Sequence, residues 1–369
     1  MSKAAELAKM GEVITNGQVS GRRNIVINGA MNVAQRSASV AGLGDGDEGY
    51  VTLDRMRHTA AASAGRFTSA QTAISDLPGF LNCLHLDCTT ADTSIAATEL
   101  LVLEHRIEGQ DLQQLKKGTS SAESITVSFY MKTNAEFVFM CVLNDFDNNR
   151  VNPQKFTTTT GWTRHSITFV GDTTGALGDD ANNSLSVSFY LHAGSNFTGG
   201  TYAANTWQSR ASSDNIIAPG IGSFYSSTDN DVKLTGLQLE VGSVSTPFEH
   251  RSFGEELLLC QRYYYAVTST AKGRFATGQF FSTTQGDIPI PFKTKMRAAY
   301  ALTQSALSDI LITSATAERA ASALALDVSG SLDAANVRFT NGSSTGSAGV
   351  PAIMILLDAD SFIAFDAEL

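Results

Sequence analysis

Two segments of the chain alternate apolar and polar residues with a period of two. In residues 124–132 (SITVSFYMK) and 184–192 (SLSVSFYLH), every second residue is large and apolar, and most of the intervening ones are Ser, Thr or Tyr. This is the pattern of a β-strand whose two faces meet different surroundings. It predicts sheets with one buried face and one solvent-exposed face.

Three further segments refine this β pattern. Residues 136–144 (EFVFMCVLN) are apolar on both faces and predict a central strand. In residues 231–241 (DVKLTGLQLEV) the alternation shifts phase by one residue beside Gly236, as a β-bulge would produce. Helix is scarce, and residues 107–118 (IEGQDLQQLKKG) predict only one or two helical turns, which end at Gly118.

Many strands, long polar loops and the lack of a strand–helix–strand rhythm predict an all-β fold. We expect a jelly-roll β-sandwich followed by a smaller C-terminal β domain, with a short N-terminal arm that contains a helix. A boundary is expected in residues 234–265, where a strand ends at a Thr-Pro pair, a helix follows, and a tyrosine triplet begins a new β region. The apolar residues 348–369 predict a hairpin-like ending. The predicted domains are an arm (1–23), the jelly roll (24–250), a connecting helix (251–264) and the C-terminal β domain (265–369).

Composition narrows the possible partners. The formal net charge of the 369 residues is −10. This argues against a nucleic-acid partner, which requires clustered Lys and Arg. No apolar run approaches the roughly 20 residues that span a bilayer, so membrane insertion is not expected. The N-terminus lacks the apolar core of a secretory signal, and we expect a protein that is made and assembled in a cytoplasm. The cysteines are therefore predicted to be buried free thiols, at Cys83, Cys88, Cys141 and Cys260.

Two motifs match catalytic or cofactor-binding patterns but lack features that the chemistry requires. Residues 44–49 (GDGDEG) match a dinucleotide fingerprint but place three carboxylates where phosphate would sit. Residues 342–346 (GSSTG) match a nucleophile elbow without its strand-to-helix turn. The carboxylates around Glu104 lack the spacing of a glycosidase pair. We therefore expect no enzyme, no catalytic residues and no cofactor.

Residues 144–150 (NDFDNNR) begin like a calcium loop. Arg150 and Phe156 occupy the positions where an EF-hand has Gly and Glu, which excludes that motif. A looser calcium site and an Asx turn are the two alternatives, of which the turn is preferred. The prediction is that the chain holds no metal.

A sugar site is the binding hypothesis that the sequence supports. Flat aromatic rings cover the apolar side of a pyranose, and amide groups bind its hydroxyls. The candidate carbohydrate-binding residues are Trp207, Tyr202, Asn205, Gln208 and Trp162. For both tryptophans the alternative is a place in the core or at its end.

The first 23 residues differ from the rest of the chain. They are basic in an acidic protein and end in Arg22 and Arg23. One interpretation is a frayed terminus, and the other is an arm that becomes ordered when it docks on a partner through these arginines.

Several segments together resemble a group of bacteriophage tail-fibre-type virion proteins that have a carbohydrate-binding-module-like jelly roll. The most specific segment is 234–265 (LTGLQLEVGSVSTPFEHRSFGEELLLCQRYYY), and the next is 23–37 (RNIVINGAMNVAQRS). Residues 49–57, 103–118 and 124–132 add to the likeness, which covers roughly 21–265. In the first of these three, Met56 stands where the pattern often has Trp, so sugar affinity does not follow from the likeness.

The resemblance implies a structural virion protein of a tailed phage. It implies a homotrimeric tail fibre or similar appendage, attached to other tail or virion proteins through the N-terminal arm, with the rest of the chain turned toward the host surface. A host-surface glycan is the candidate partner there. Such a protein would be located in the virion after assembly in the bacterial cytoplasm. A capsid-bound head fibre or decoration protein and a free carbohydrate-binding module are the alternatives.

Overall fold

The computed structural model describes Lys3 and residues 22–210, 220–315, 317–327 and 331–369. The predicted N-terminal helix lies outside the described residues. The chain divides into two compact units, one ending at Phe253 and also holding Leu369, the other spanning Gly254–Glu368. This division lies inside the predicted connecting helix. Each unit has its own hydrophobic core.

The first sheet of the N-terminal unit is antiparallel. Among the described residues it has six strands, in the order β1–β4–β5–β13–β7–β10. These strands are β1 (Ser39–Leu43), β4 (Arg66–Ala73), β5 (Asn82–Thr90), β7 (Ile125–Thr133), β10 (Thr163–Phe169) and β13 (Asp231–Val241).

The second sheet of this unit is also antiparallel. In the described part of the chain it has seven strands, in the order β12–β9–β8–β11–β6–β3–β2. They are β2 (Glu48–Gly49), β3 (Arg57–Ala61), β6 (Leu100–Glu108), β8 (Val138–Asp145), β9 (Arg150–Thr157), β11 (Asn183–Ala193) and β12 (Gln208–Ser209). The segment that is apolar on both faces forms β8, which pairs with strands on both sides as predicted.

The two sheets bury one apolar core between them. Phe129 of the six-stranded sheet packs against Phe156 and Phe189 of the seven-stranded sheet, with ring centroids 5.1 and 4.7 Å apart. Each fully buried side chain of this size stabilises the fold by about 2–3 kcal/mol. The unit is the jelly-roll β-sandwich that the alternation predicts. The four cysteines are free and buried, as predicted.

Gly236 forms the predicted β-bulge. The pairing of β13 with β7 shifts register between Thr235 and Gln238, and Gly236 has a φ of +63°. A Cβ there would lie 2.8 Å from the ring of Tyr130, so both the backbone conformation and the space require glycine. The predicted helical turns are 3₁₀ turns at Gly109–Asp111 and Gln113–Leu115.

The C-terminal unit combines a small sheet with a closed six-stranded barrel, counted over the described residues. The sheet has the order β14–β22–β17, and the barrel runs β15–β16–β20–β19–β18–β21. The strands are β14 (Tyr264–Thr268), β15 (Gly273–Phe280), β16 (Gln285–Pro291), β17 (Ala301–Gln304), β18 (Ile310–Thr313), β19 (Glu318–Leu326), β20 (Ala334–Asn341), β21 (Pro351–Leu356) and β22 (Phe362–Asp366). The described helices of the chain, apart from 3₁₀ turns, are α1 (Ser195–Thr198) and α2 (Phe253–Gln261).

The predicted C-terminal hairpin is wrong. β21 pairs with β15 and β18 in the barrel, whereas β22 pairs with β14 and β17 in the small sheet. Both strands are apolar, and each lies between two partners in a different sheet. Hydrophobicity therefore indicates that a strand is central but does not say which strand is its neighbour.

The prediction of one solvent-exposed face per sheet is also wrong for the centre of the sandwich. Thr126 and Ser128 on the outer face of β7, and Ser186 and Ser188 on the outer face of β11, are at most 1% exposed. Other parts of the chain cover both outer faces, and the hydroxyls are buried because they find hydrogen-bond partners there.

A strap (residues 242–250) covers the outer face of the six-stranded sheet. Thr126 Oγ1 donates to Gly242 O at 2.7 Å, and Arg164 donates to Thr246 O. The buried carboxylate of Glu240 accepts hydrogen bonds from Thr246 N at 3.1 Å and from the side chain of Gln238 at 2.7 Å. These bonds explain why residues that look surface-like in the sequence are buried.

A clasp, formed by Arg23, Asn24, Gln238, Glu249 and Arg251, joins the start of the sandwich to the end of the strap. Glu249 accepts hydrogen bonds from the backbone N–H groups of Arg23 and Asn24, at 3.1 and 2.8 Å. Arg251 donates to Asn24 O and to Val26 O. All five clasp residues lie in the two segments that carry the resemblance most specifically, 23–37 and 234–265.

Candidate functional site on the outer face of the seven-stranded sheet

The strand register aligns polar side chains across the outer face of the seven-stranded sheet. Ser188 of β11 is paired with Glu104 of β6, which is paired with Arg57 of β3. In the neighbouring row, Ser186 lies between Asn144 and Arg106. We call this set the polar strip: Arg57, Glu104, Arg106, Asn144, Ser186 and Ser188.

Glu104 is the centre of the polar strip. Its carboxylate accepts hydrogen bonds from Ser186 Oγ at 2.8 Å and Arg106 Nε at 2.7 Å, and Arg57 Nη1 lies 3.6 Å away. Asn144 Nδ2 donates to Ser188 Oγ at 2.8 Å. The carboxylate is nearly buried, while the arginine side chains are 12% and 21% exposed. Other groups of the protein also engage the guanidinium groups, because Arg57 donates to Thr59 and Glu48, and Arg106 Nη1 donates to Leu369 O at 3.0 Å. The strip therefore places two partly exposed guanidinium groups around a nearly buried carboxylate.

An apolar cluster lies beside the polar strip. It consists of Val102, Met140, Val142, Val151 and Tyr190, and it is covered by Phe197, Tyr202 and Ile221 from the chain that crosses this face. Burial raises the pKa of the Tyr190 phenol. Apolar surface next to fixed polar donors is the general composition of a small-molecule site.

Tyr202 is the predicted sugar-binding residue that lies best for that role. Its ring is half-buried on the apolar cluster, its hydroxyl accepts a hydrogen bond from Lys155 N at 3.2 Å, and Lys155 Nζ lies 5.1 Å from the ring centroid. These contacts fix the position of the ring, which lies at the edge of the outer face.

Asn205 and Gln208 lie nearby at the sheet edge. Asn205 has a φ of +52°, and its Oδ1 accepts a hydrogen bond from Val170 N at 2.9 Å. Gln208 is paired with Val151 in the short β12 pairing. The Asn205 amide holds the backbone of this edge, and the predicted glycan-binding role of both residues stays a prediction.

Trp207 belongs to the core of the sandwich. It is 9% exposed, its Nε1 donates to Val170 O at 2.7 Å, and Lys117 Nζ lies 5.4 Å from its ring. In this conformation the ring is not available as a platform for a sugar. The structure therefore agrees with the alternative in which Trp207 packs in the core.

Trp162 lies at the other end of β10. It precedes Thr163, the first residue of the strand, whereas Val170 follows the last one. Seven extended residues span about 23 Å, so Trp162 and Trp207 do not share a site. Trp162 Nε1 donates to Asp76 Oδ1 at 2.8 Å; hydrogen bonds from Lys132 and Trp162 lower the pKa of Asp76.

The two predicted attachment residues differ in their surroundings. Arg22 is exposed and lines a cleft with Ile25, Gln110, Asp111 and Gln114. Arg23 is half-buried and donates to Thr246 Oγ1 at 3.1 Å in addition to its bond to Glu249. Arg23 therefore has a structural task within the sandwich, while Arg22 faces solvent. Attachment through either residue stays a prediction.

A lysine ammonium group lies where the looser calcium site suggested by residues 144–150 would hold its cation. Lys117 Nζ is 2.5 Å from Asp145 Oδ2 and 3.1 Å from Asp172 Oδ2, and it donates to the carbonyls of Thr174 and Gly175 at 2.9 Å. Burial opposes ionisation of Asp172, but hydrogen bonds from Arg150, Thr174 and Lys117 outweigh it and lower its pKa. Asp145 also accepts a hydrogen bond from Asn148 N at 3.0 Å, which is the Asx-turn alternative.

A hydrogen-bonded set of three side chains, Glu99, His192 and Ser223, was not predicted from the sequence. His192 Nε2 lies 2.8 Å from Glu99 Oε2, and its Nδ1 lies 2.8 Å from Ser223 Oγ. Burial lowers the pKa of His192, and the hydrogen bond to Glu99 offsets part of this effect. The order Ser–His–Glu is that of a hydrolase triad. The histidine ring, however, is completely buried.

The sequence analysis missed the polar strip because its members are spread over residues 57–188. The available signal was the repeated outward pattern, Thr-x-Ser-x-Tyr at 126–130 and Ser-x-Ser-x-Tyr at 186–190. Among the residues that the structure describes, no group of three or more His, Cys, Asp or Glu side chains could hold a metal ion. Nor does any helix there have the length and hydrophobicity needed to cross a membrane.

Comparison with known proteins gives only distant likenesses. No family model and no curated protein matches the chain. Among solved structures, a family 4 carbohydrate-binding module matches with a TM-score of 0.29 and 11% identity, over 58% of this chain and 99% of the module. A sugar-binding protein described as putative, from Bacteroides thetaiotaomicron, has a TM-score of 0.31 and 10% identity, over 59% of this chain and all of its own.

The tailspike protein 4 of bacteriophage CBA120 also matches, with a TM-score of 0.30 and 8% identity. The match covers 59% of this chain but 21% of the tailspike domain. TM-scores near 0.3 are too low for any of these neighbours to indicate what this chain binds or does.

Proposed function

We propose that this chain is a structural virion protein of a tailed bacteriophage, a trimeric tail fibre or similar appendage that contributes to attachment to the host surface. The observation that carries the proposal is the clasp. The two segments that most specifically resemble tail-fibre-type proteins form it, and Gln238, Asn24 and Arg251 have nearly buried side chains within it. The resemblance therefore concerns residues with a defined structural task, not surface residues that vary freely.

The proposal includes contact with a host glycan through the outer face of the seven-stranded sheet. The guanidinium groups of Arg57 and Arg106 are oriented by Glu104, and the half-buried ring of Tyr202 lies on the same face. Fixed donors and an aromatic ring on the same face suit an extended ligand rich in hydroxyl groups. The proposed role needs no bond cleavage, and the protein acts by adhesion and shape.

Binding of the purified, fluorescently labelled chain to host cells tests the adhesive role. We expect binding that soluble surface polysaccharide competes away, and that is reduced at least about tenfold in Arg106→Met, because a lost charge-assisted hydrogen bond is worth about 1.5–3 kcal/mol. Arg338→Met is the matched control, since Arg338 forms a similar surface pair with Asp287 in the C-terminal unit. Equal binding by wild type and Arg106→Met would remove this face from the proposal.

The oligomeric state is tested by light scattering. A trimer at micromolar concentration supports the appendage. A stable monomer that binds glycan supports the free carbohydrate-binding module instead.

A further inference from the structure

The clasp connects two parts of the chain that are far apart in sequence. The backbone N–H of Arg23 and the Glu249 carboxylate that accepts its hydrogen bond are separated by 226 residues. Nearly the whole sandwich lies between them. The clasp thus brings the first described residues of this unit against the residues that precede α2.

Direct bonds hold these two segments together. Glu249 accepts the N–H groups of Arg23 and Asn24, and Arg251 donates to the carbonyls of Asn24 and Val26. Each of these bonds involves a charged group, and the side chain of Arg251 is 5% exposed. Charge-assisted hydrogen bonds are the stronger class, and exclusion of water strengthens them further.

Both segments are also anchored to β13. Asn24 Nδ2 donates to Leu237 O at 3.1 Å, and Asn24 Oδ1 accepts from Leu239 N at 3.1 Å. On the other side, Glu249 N donates to Gln238 Oε1 at 2.8 Å. The clasp is therefore bonded to a central strand of the sandwich and cannot peel away alone.

We propose that the clasp carries tension. When the chain is pulled between the segment before Arg22 and the segment after Ser252, force passes through the bonds of Glu249 and Arg251 directly from one segment to the other. While the clasp holds, the parts of residues 27–248 that lie outside its anchor on β13 bear little of the tension. The inference rests on the proposed function, because an appendage that links a virion to its host is pulled from both ends.

Failure of the clasp has a defined consequence. Residues 23–26 and 249–251 separate, the bonds to Leu237 and Leu239 are lost, and the core beneath β13 is exposed. The sandwich then unfolds cooperatively, without earlier loss of single strands. A clasp that only stabilised the fold would have no such special effect under force.

Single-molecule force spectroscopy on the full chain tests the inference. One handle is attached at the N-terminus and the other at Gly254→Cys, a position where a Cβ meets open space. The four native cysteines are buried, so the new thiol is the reactive one. We expect the N-terminal unit to unfold in one step, and Arg251→Met to raise its unfolding rate at fixed force at least about tenfold.

Arg150→Met is the control, because Arg150, in β9 of the seven-stranded sheet, makes two bonds to Asp172 outside the force path. It lowers the melting temperature but changes the rate under force less than Arg251→Met does. If Arg251→Met fails to fold, the isosteric Glu249→Gln replaces it, since an amide accepts only one of the two N–H groups.

Equal effects of the Arg150 and Arg251 variants under force, or unfolding in several steps with the clasp intact, would overturn the inference. Neither result concerns location in a virion, so the proposed function is tested separately.

Discussion

Two strands with nearly the same outward residues lie in the interior of the two sheets of the sandwich, each paired on both sides. β7 presents Thr126, Ser128 and Tyr130, and β11 presents Ser186, Ser188 and Tyr190. On β7, backbone carbonyls of the strap and a neighbouring arginine satisfy the hydroxyls. On β11, the carboxylate of Glu104 does so. The strap, with its carbonyl groups, closes one face, whereas side chains of neighbouring strands satisfy the hydroxyls on the other.

This difference separates a structural face from a candidate binding face. Carbonyls of the strap are fixed and leave no donor for a ligand. The side chains of Arg57 and Arg106 are 12% and 21% exposed, so part of each guanidinium group lies at the surface. The six-stranded sheet therefore has a structural outer face, and the seven-stranded sheet carries the face that we propose for recognition.

The largest effect is expected from the tryptophans, one beside each sheet. Trp207→Ala removes a core side chain and should cost about 3–5 kcal/mol, a loss of about 10 °C in melting temperature. Trp162→Ala removes a half-buried ring with one hydrogen bond and should cost about 1 kcal/mol. Calorimetry on both variants measures this, and a stable Trp207→Ala that no longer binds glycan would restore Trp207 as a binding residue.

Removal of a buried carboxylate should cost different amounts of stability on the two faces. Glu240→Ala leaves Gln238 and Thr246 without their acceptor beneath the strap and should cost about 3 kcal/mol. Glu104→Ala should cost less, about 1–2 kcal/mol, because Arg57 and Arg106 can be hydrated instead. Denaturant titration of both variants gives the two values. A larger loss for Glu104→Ala would contradict the assignment of the faces.

Acid is expected to destabilise the seven-stranded sheet most, because three of the four described histidines whose pKa is lowered lie in it, and the fourth, His165, lies in β10. Burial lowers the pKa of His58 from 6.5 to about 4, and it also lowers the pKa of His105 and His192 in the same sheet. A histidine with a lowered folded pKa binds its proton first in the unfolded chain, so stability is full above pH 6.5 and falls as the pH drops toward 4. For His58 alone the loss reaches about 3 kcal/mol.

Melting curves between pH 7 and 4.5 check this prediction. His58→Leu should flatten the dependence of the melting temperature on pH. His250→Leu, at an exposed position, should leave this dependence unchanged. Identical curves for all three proteins would mean that His58 does not remain neutral in the fold.

The smallest effect is expected at the Glu99–His192–Ser223 chain. A fluorophosphonate probe, which labels activated serines, should not modify Ser223, because the histidine is buried and holds two loops together. Labelling that disappears in His192→Gln would instead show an activated nucleophile and contradict the non-enzymatic proposal.

Local patterns in the sequence predicted the strands, the bulge at Gly236 and the buried cysteines, because each depends on neighbouring residues. The pairing of β21 and β22 and the burial of Ser186 could not be predicted in this way. They depend on which distant segment covers a strand. The polar strip could not be predicted from local patterns either, because Glu104 and Ser186 become neighbours only through the strand register.

The position of the polypeptide in intact virus particles decides whether it is a structural protein of the virion tail. Gold-labelled antibodies against this chain, viewed by electron microscopy on particles of the virus that encodes it, should mark the tail or an appendage. Labelling confined to the capsid would support a head fibre or decoration protein. Particles that carry no label, with the protein found only free in the lysate, would contradict a structural role in the virion.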